Sequence, residues 1–135
     1  MILGDGKEAF RLSGGEENVI TSAEYYPLIA AMPHCPSPPY LLRCGVLLLW
    51  NDDAERLLPQ IYAESAVSCG FAACCTLTLA SMEQNRAMLT VQRELCRLDG
   101  SLVLPQDIPL RKWQPGITEE EQLVLAGLRL LRGEM

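Results

Sequence analysis

Residues 40–50 read YLLRCGVLLLW, an apolar run that Asn51-Asp52-Asp53 closes. Residues 71–80 read FAACCTLTLA, a second apolar run that leads into Ser81. Whether these runs are helices or strands decides the fold, because short apolar runs look alike in both. Each run is followed by a polar turn and then by residues at helical spacing. These are Leu57, Leu58, Ile61 and Tyr62 after the first, and Met88, Val91, Leu95 and Leu98 after the second. The two units also match each other: Leu47 and Leu49 with Leu77 and Leu79, Arg56 with Arg86, and Ile61 with Val91, a repeat of about thirty residues.

Two architectures produce this pattern. In one, each unit is a helical hairpin stacked on the next. In the other, the runs are buried parallel strands and each unit is half of a βαβ crossover. Ser37-Pro38-Pro39 before the first run suits a helix start, with a hydroxyl cap and proline in the first turn. The Leu and Ala content and the scarcity of β-branched residues also favour helix. Thr76 and Thr78, alternating with Leu77 and Leu79, favour strand. The sequence therefore predicts a mostly α fold of stacked helical hairpins. The alternative is an α/β fold around a small parallel sheet.

Outward from this centre the signals are local. Residues 1–20 are broken by Gly4, Gly6, Gly14 and Gly15, which predicts an irregular arm or a short β-hairpin turning at Gly14-Gly15. Thr21 to Glu24 has the spacing of a capping box, and Tyr25, Leu28, Ile29 and Met32 follow at helical spacing. Pro27 is a misfit there, so a short or kinked helix is expected. Helices are also expected over residues 54–66, kinked at Pro59, and from Ser81 to a stop at Gly100. Ser101 to Leu104 reads as a short strand. Thr118 and Glu121 form a further capping box for a helix over 118–132, with Glu119–Glu121 at the positive end of its dipole. A chain of 135 residues fits one domain.

The formal net charge of −6 opposes general nucleic-acid binding, which needs a dense Lys/Arg surface, and equally an electrostatic membrane anchor. The first ten residues, MILGDGKEAF, place Asp5 and Glu8 where a signal peptide would be apolar, and the longest apolar stretch, Val46 to Trp50, is too short to span a bilayer. A cytoplasmic protein is expected. Six cysteines, Cys35, Cys44, Cys69, Cys74, Cys75 and Cys96, lie mostly in apolar runs and read as buried free thiols.

No motif carries a reaction by itself. Cys74-Cys75 is not a C-x-x-C pair, and the only histidine, His34, has no zinc-finger or cysteine-protease spacing around it. Asp52, Asp53, Glu55 and Glu119–Glu121 sit at expected helix starts, where capping accounts for them. There is no GxxxxGK[ST] loop and no GxGxxG. Neither a metal nor a cofactor is expected. Trp113, beside Arg111 and Lys112 in a Pro-rich segment, is either a contact hot spot or a loop residue that caps the core.

Over residues 38–98 the helical version resembles a tetratricopeptide-like repeat. Gly45 falls where that family has a small residue in its first helix, and Ala87 where it has one early in its second. The period is shorter, and Leu41, Leu48 and Thr78 occupy the family's aromatic positions. The resemblance implies protein or peptide binding on a concave face, as in small chaperones and adaptors of bacterial secretion systems.

The expectation is thus a non-catalytic adaptor, chaperone or assembly factor. Its partner is another protein or a second copy of itself, held in a groove between helices. Trp113, Arg111, Tyr25 and Tyr26 are the candidate contact residues. The alternative is a small α/β enzyme or enzyme subunit, with Asn51–Asp53 and Ser81 lining the carboxyl edge of its strands.

Overall fold

The computed structural model describes residues 2–3, 9–10, 12–13, 16–17, 25–35, 37–38, 41–83, 86–110 and 116–135; side chains are described from residue 25 onward, except 81–83. Strand accounts for 45% and helix for 20%. The mostly α expectation is therefore wrong, and so is the tetratricopeptide-like repeat. With the helical hairpins goes the groove between helices, and the resemblance no longer supports a link to secretion-system chaperones.

The strands, in chain order, are β1 (Ile2–Leu3), β2 (Ala9–Phe10), β3 (Leu12–Ser13), β4 (Glu16–Glu17), β5 (Tyr25–Ala31), β6 (Leu42–Trp50), β7 (Ile61–Cys69), β8 (Leu77–Glu83), β9 (Arg86–Val91), β10 (Leu95–Cys96), β11 (Leu102–Val103) and β12 (Gln106–Leu110). The helices are α1 (Ala54–Leu57) and α2 (Glu119–Leu131). The main sheet has the order β12-β9-β8-β7-β6-β5-β1-β2. β5, β6 and β7 run parallel, whereas β8-β9-β12 is an antiparallel meander. β3 and β4 pair antiparallel on either side of residues 14–15.

β6 explains why its sequence resembled a helix. It is covered on both faces, so its apolar run is nearly continuous instead of alternating. Leu48 and Trp50 pack with α2 residues such as Leu123, Val124 and Leu130. Leu47 and Leu49 pack on the opposite side with Leu57 of α1 and Ile61. The expected helix over 54–66 stops at Leu57, and Pro59 lies in the turn that follows, where its missing N–H costs nothing. Ile61–Cys69 then continues as β7.

The expected helix from Ser81 to Gly100 is instead a strand pair and a turn. Ala87, Leu89 and Val91 are buried and alternate with half-buried Met88 and Thr90, the period of a strand with one covered face. β9 is paired on both sides, to β8 and to β12, and those ladders override the clean Met88/Val91/Leu95/Leu98 helical stripe. Gly100, read as a helix stop, has φ +87° and turns the β10–β11 hairpin. The expected helix after Thr21 is likewise strand β5 over residues 25–31. Of the second apolar run, residues 71–76 are loop and only Leu77 onward is strand.

α2 begins at the Thr118–Glu121 spacing: Thr118 Oγ1 accepts the Glu121 backbone N–H at 3.1 Å. Its apolar face, including Leu123, Val124, Ala126, Leu130 and Leu131, closes the larger core over β5, β6, β7 and β8. Among the described residues, no helix is long and apolar enough to cross a membrane.

A phase shift crosses the parallel strands. Cys44 and Leu47 are three residues apart yet lie in one cluster, as do Tyr26 and Ile29. Strict alternation would send each pair to opposite faces. The shift falls at the level of Pro27, Gly45 and Glu64, where both ladders skip a rung. A Cβ on Gly45 would lie 2.8 Å from Tyr25 Oη and 3.0 Å from the Pro27 carbonyl oxygen, so this level needs glycine.

All six cysteines are free; Cys74 and Cys96 are exposed and the other four buried. Titration of the native protein with an aromatic disulfide reagent near neutral pH is therefore expected to modify Cys74 and Cys96 rapidly. Cys35, Cys44, Cys69 and Cys75 should react at least tenfold more slowly, tracking local opening. Peptide mapping that finds Cys44 or Cys69 among the fast thiols would contradict this packing.

Candidate functional site

Two regions gather polar chemistry. The first is the carboxyl edge of the parallel strands. His34 follows β5 with φ +60°, a conformation uncommon for a residue with a Cβ. Its backbone N–H donates to Asp53 Oδ2 at 2.9 Å, and its Nε2 lies 2.9 Å from Glu120 Oε2. Arg56 pairs with Asp53 Oδ1 at 3.3 Å and donates to Ser37 Oγ at 3.1 Å. Asp53 is the buried charged side chain among the described residues, and these bonds explain how it is tolerated. It ties the loop after β5 to the turn after β6, and Glu120 ties that loop to the start of α2.

Among the described residues, this edge shows no activated nucleophile. Burial raises the pKa of the Cys35 thiol, partly opposed by Arg56, and burial likewise raises that of Cys75. A protonated buried thiol is unreactive. Asp52 and Glu55 face solvent. The side chain of Ser81 lies outside the described residues. Among the described residues, no three His, Cys, Asp or Glu side chains are grouped to hold a metal ion.

The second region is a groove of about 520 Å³ beside β7. It exists because β7 pairs with β6 along its length but meets β8 only at Cys69–Leu77, where β8 begins. Among the described residues, no strand pairs with the edge of β7 before Cys69, and the chain from Glu94 to Leu98 forms the far wall. Val46, Val67 and Leu95 give apolar lining, while Ser65 and Ala66 are exposed on the β7 side. Tyr25 lines the groove as well, and its hydroxyl donates to Glu64 Oε2 at 3.2 Å. Desolvation, then the charge and hydrogen bond of Glu64, raises the Tyr25 pKa, so the phenol stays a donor.

The groove is acidic. Glu64 and Glu94 are exposed, and neither has a cationic partner among the described residues. Arg97 also lines it, but that guanidinium is engaged: Nη1 donates to Ser101 Oγ and Nη2 to the Met135 carbonyl oxygen at 3.0 Å. A separate apolar patch near the start of β6 and β7 exposes Leu41, Leu58 and Tyr62 around Pro59.

Of the candidate contact residues, Tyr25 is 54% exposed on the groove, whereas Tyr26 is buried in the smaller core and unsuited to touching a partner. Trp113 and Arg111 lie outside the described residues. Asn51–Asp53 does reach the carboxyl edge of β6, where Asp53 serves as a structural tie. Sequence reasoning missed Glu64, Ser65 and Glu94. The available signal was the small, polar Glu64-Ser65-Ala66 in the middle of a strand whose neighbour β6 is almost wholly apolar.

Comparison of the chain with protein-family models, with curated proteins and with solved structures gives no match.

Proposed function

We propose that this protein is a non-catalytic interaction module, an adaptor, chaperone or assembly factor, that holds another protein in the groove beside β7. The observation that carries this reading is an internal strand edge that is unpaired among the described residues, next to a groove with both apolar lining and carboxylates without a cationic partner among the described residues. Unpaired strand edges and exposed apolar surface are costly to leave open and are common sites of protein contact. The carboxyl edge supports the enzyme alternative less well, because Asp53 is spent on structure and the adjacent thiols are held protonated. A cytoplasmic setting fits six free thiols, and the charge of −6 disfavours nucleic acid and anionic membranes as partners.

A benzophenone amino acid placed at Ser65, with Glu55 on α1 as the control position, tests the reading in the protein's own cells. Irradiation is expected to give a discrete protein adduct from position 65 and none from position 55. Absence of an adduct at 65, or equal adducts at both positions, would remove the groove as the interaction surface.

A further inference from the structure

We infer that the groove takes an extended peptide segment of a partner protein, which adds as a strand to the free edge of β7 and carries basic side chains. This rests on the interaction reading above and specifies what is bound.

The backbone is the first argument. In a parallel ladder, successive residues direct their N–H and C=O groups to opposite sides. After the phase shift at Glu64, every second residue of β7 up to Ser68 therefore turns both groups away from β6 and toward the groove. An edge of this kind is a template for another strand. Proteins blunt unwanted edges with proline, lysine or a covering element, and this sheet does so at its outer strand. β12 carries Pro109 opposite Met88, where no N–H is available to a further strand. Among the described residues, β7 between Ile61 and Ser68 carries no proline, no lysine and no covering strand, and Ser65 and Ala66 stand exposed on its open edge. Its one charge there is Glu64, which a basic side chain would meet.

Side-chain chemistry is the second argument. A strand laid against β7 would send alternate side chains toward Val46, Val67 and Leu95, which suits apolar residues. The remaining side chains would meet Glu64 and Glu94. Glu64 and Glu94 outnumber Arg97, whose guanidinium is already turned to Ser101 and Met135, so the groove is net negative, and the chain as a whole carries −6. Lysine or arginine at those positions is complementary, and acidic residues are repelled. A second copy docking edge to edge would add a second Glu64 and Glu94 to the same acidic groove, which disfavours self-pairing.

The test pans a phage library of short linear peptides on the intact protein and follows one enriched peptide by fluorescence anisotropy. The enriched sequences should alternate apolar residues with Lys or Arg. Binding should protect β7 amides between residues 62 and 68 from hydrogen exchange. N-methylation of alternate peptide amides, in the phase facing β7, should weaken binding about tenfold or more, since two or more backbone hydrogen bonds are lost. The double variant Glu64→Gln, Glu94→Gln should weaken it several-fold and flatten its salt dependence. No enrichment, acidic consensus sequences, indifference to N-methylation in either phase, or protection elsewhere would each overturn strand addition. So would a dimer of this chain protected over the same amides. If any of these occurs while position 65 still cross-links a partner, the interaction reading stands and only the mode is wrong. Loss of the cross-link as well removes both.

Discussion

Leu48→Ala is expected to cost about 3–4 kcal/mol of folding free energy, in the middle of the range for buried leucine truncations. Leu48 is fully buried in the carboxyl half of β6, paired with Ala30 on one side and Val67 on the other. Its methyls face α2 at Gly127: a Cβ built there would lie 3.2 and 3.3 Å from the two Leu48 methyls and 2.9 Å from Leu77 Cδ1. Removing the Leu48 side chain opens a cavity that a sheet fixed on both sides cannot close. The complementary change, Gly127→Leu, forces extra carbons into the same contact and pushes the helix off the sheet, at a cost of roughly 3 kcal/mol or more. Gly127→Ala should be nearly neutral, because the gain in helix propensity of about 1 kcal/mol opposes the crowding. Urea unfolding followed by tryptophan fluorescence measures all three. Leu104→Ala, at a position 55% exposed, is the control and should shift stability by less than about 0.5 kcal/mol. Equal losses for Leu48→Ala and Leu104→Ala would mean that the helix does not dock on β6.

Stability is also expected to collapse in alkali, beginning near pH 9. Burial pushes the Cys44 thiol from its ordinary value of 9.0 up to about 12, with the charge of Glu64 adding to the effect. Cys69 moves further in the same direction, chiefly by burial, and Cys35 and Cys75 also move upward. A thiol with a raised folded pKa binds its proton more tightly when folded, so the unfolded chain releases that proton first. The stabilisation is complete below the unfolded value of 9.0 and drains away as pH climbs toward the folded value. For Cys44 alone, the difference between 9.0 and about 12 is worth on the order of a few kcal/mol. Urea midpoints measured at intervals from neutral pH to pH 11 should be level below 9 and fall steeply above it. Cys44→Ala, whatever its effect on absolute stability, should make that fall shallower. A flat profile through pH 11 would mean that these thiols are not sealed from water.

Several local features were readable from the residues. Thr118 and Glu121 mark the start of α2, and the Thr118 hydroxyl accepts the bond that their spacing implies. Asn51–Asp53 ends the apolar run at Trp50, Gly14-Gly15 falls between two short paired strands, and Leu102–Val103 is a strand. These are short-range effects of capping, turn chemistry and backbone freedom, which a few neighbouring residues decide. Pro27 was correctly a misfit in a helix. It is at ease in β5, at the one level where the ladder to β6 has no rung.

What the sequence determined by itself is therefore local and additive: an apolar, cysteine-rich, acidic chain, the places where it turns, and the start of its last helix. The tertiary structure alone decided that β6 is a strand, because a strand buried on both faces loses its period of two and imitates a buried helix. It decided that Tyr25 lines a groove while Tyr26 is buried in the core, since adjacent strand residues face opposite ways and only the neighbouring elements say which face is covered. It also made the groove, which belongs to no single segment. The groove exists because β8 joins β7 only at Cys69, leaving an edge whose partners lie far away in the chain.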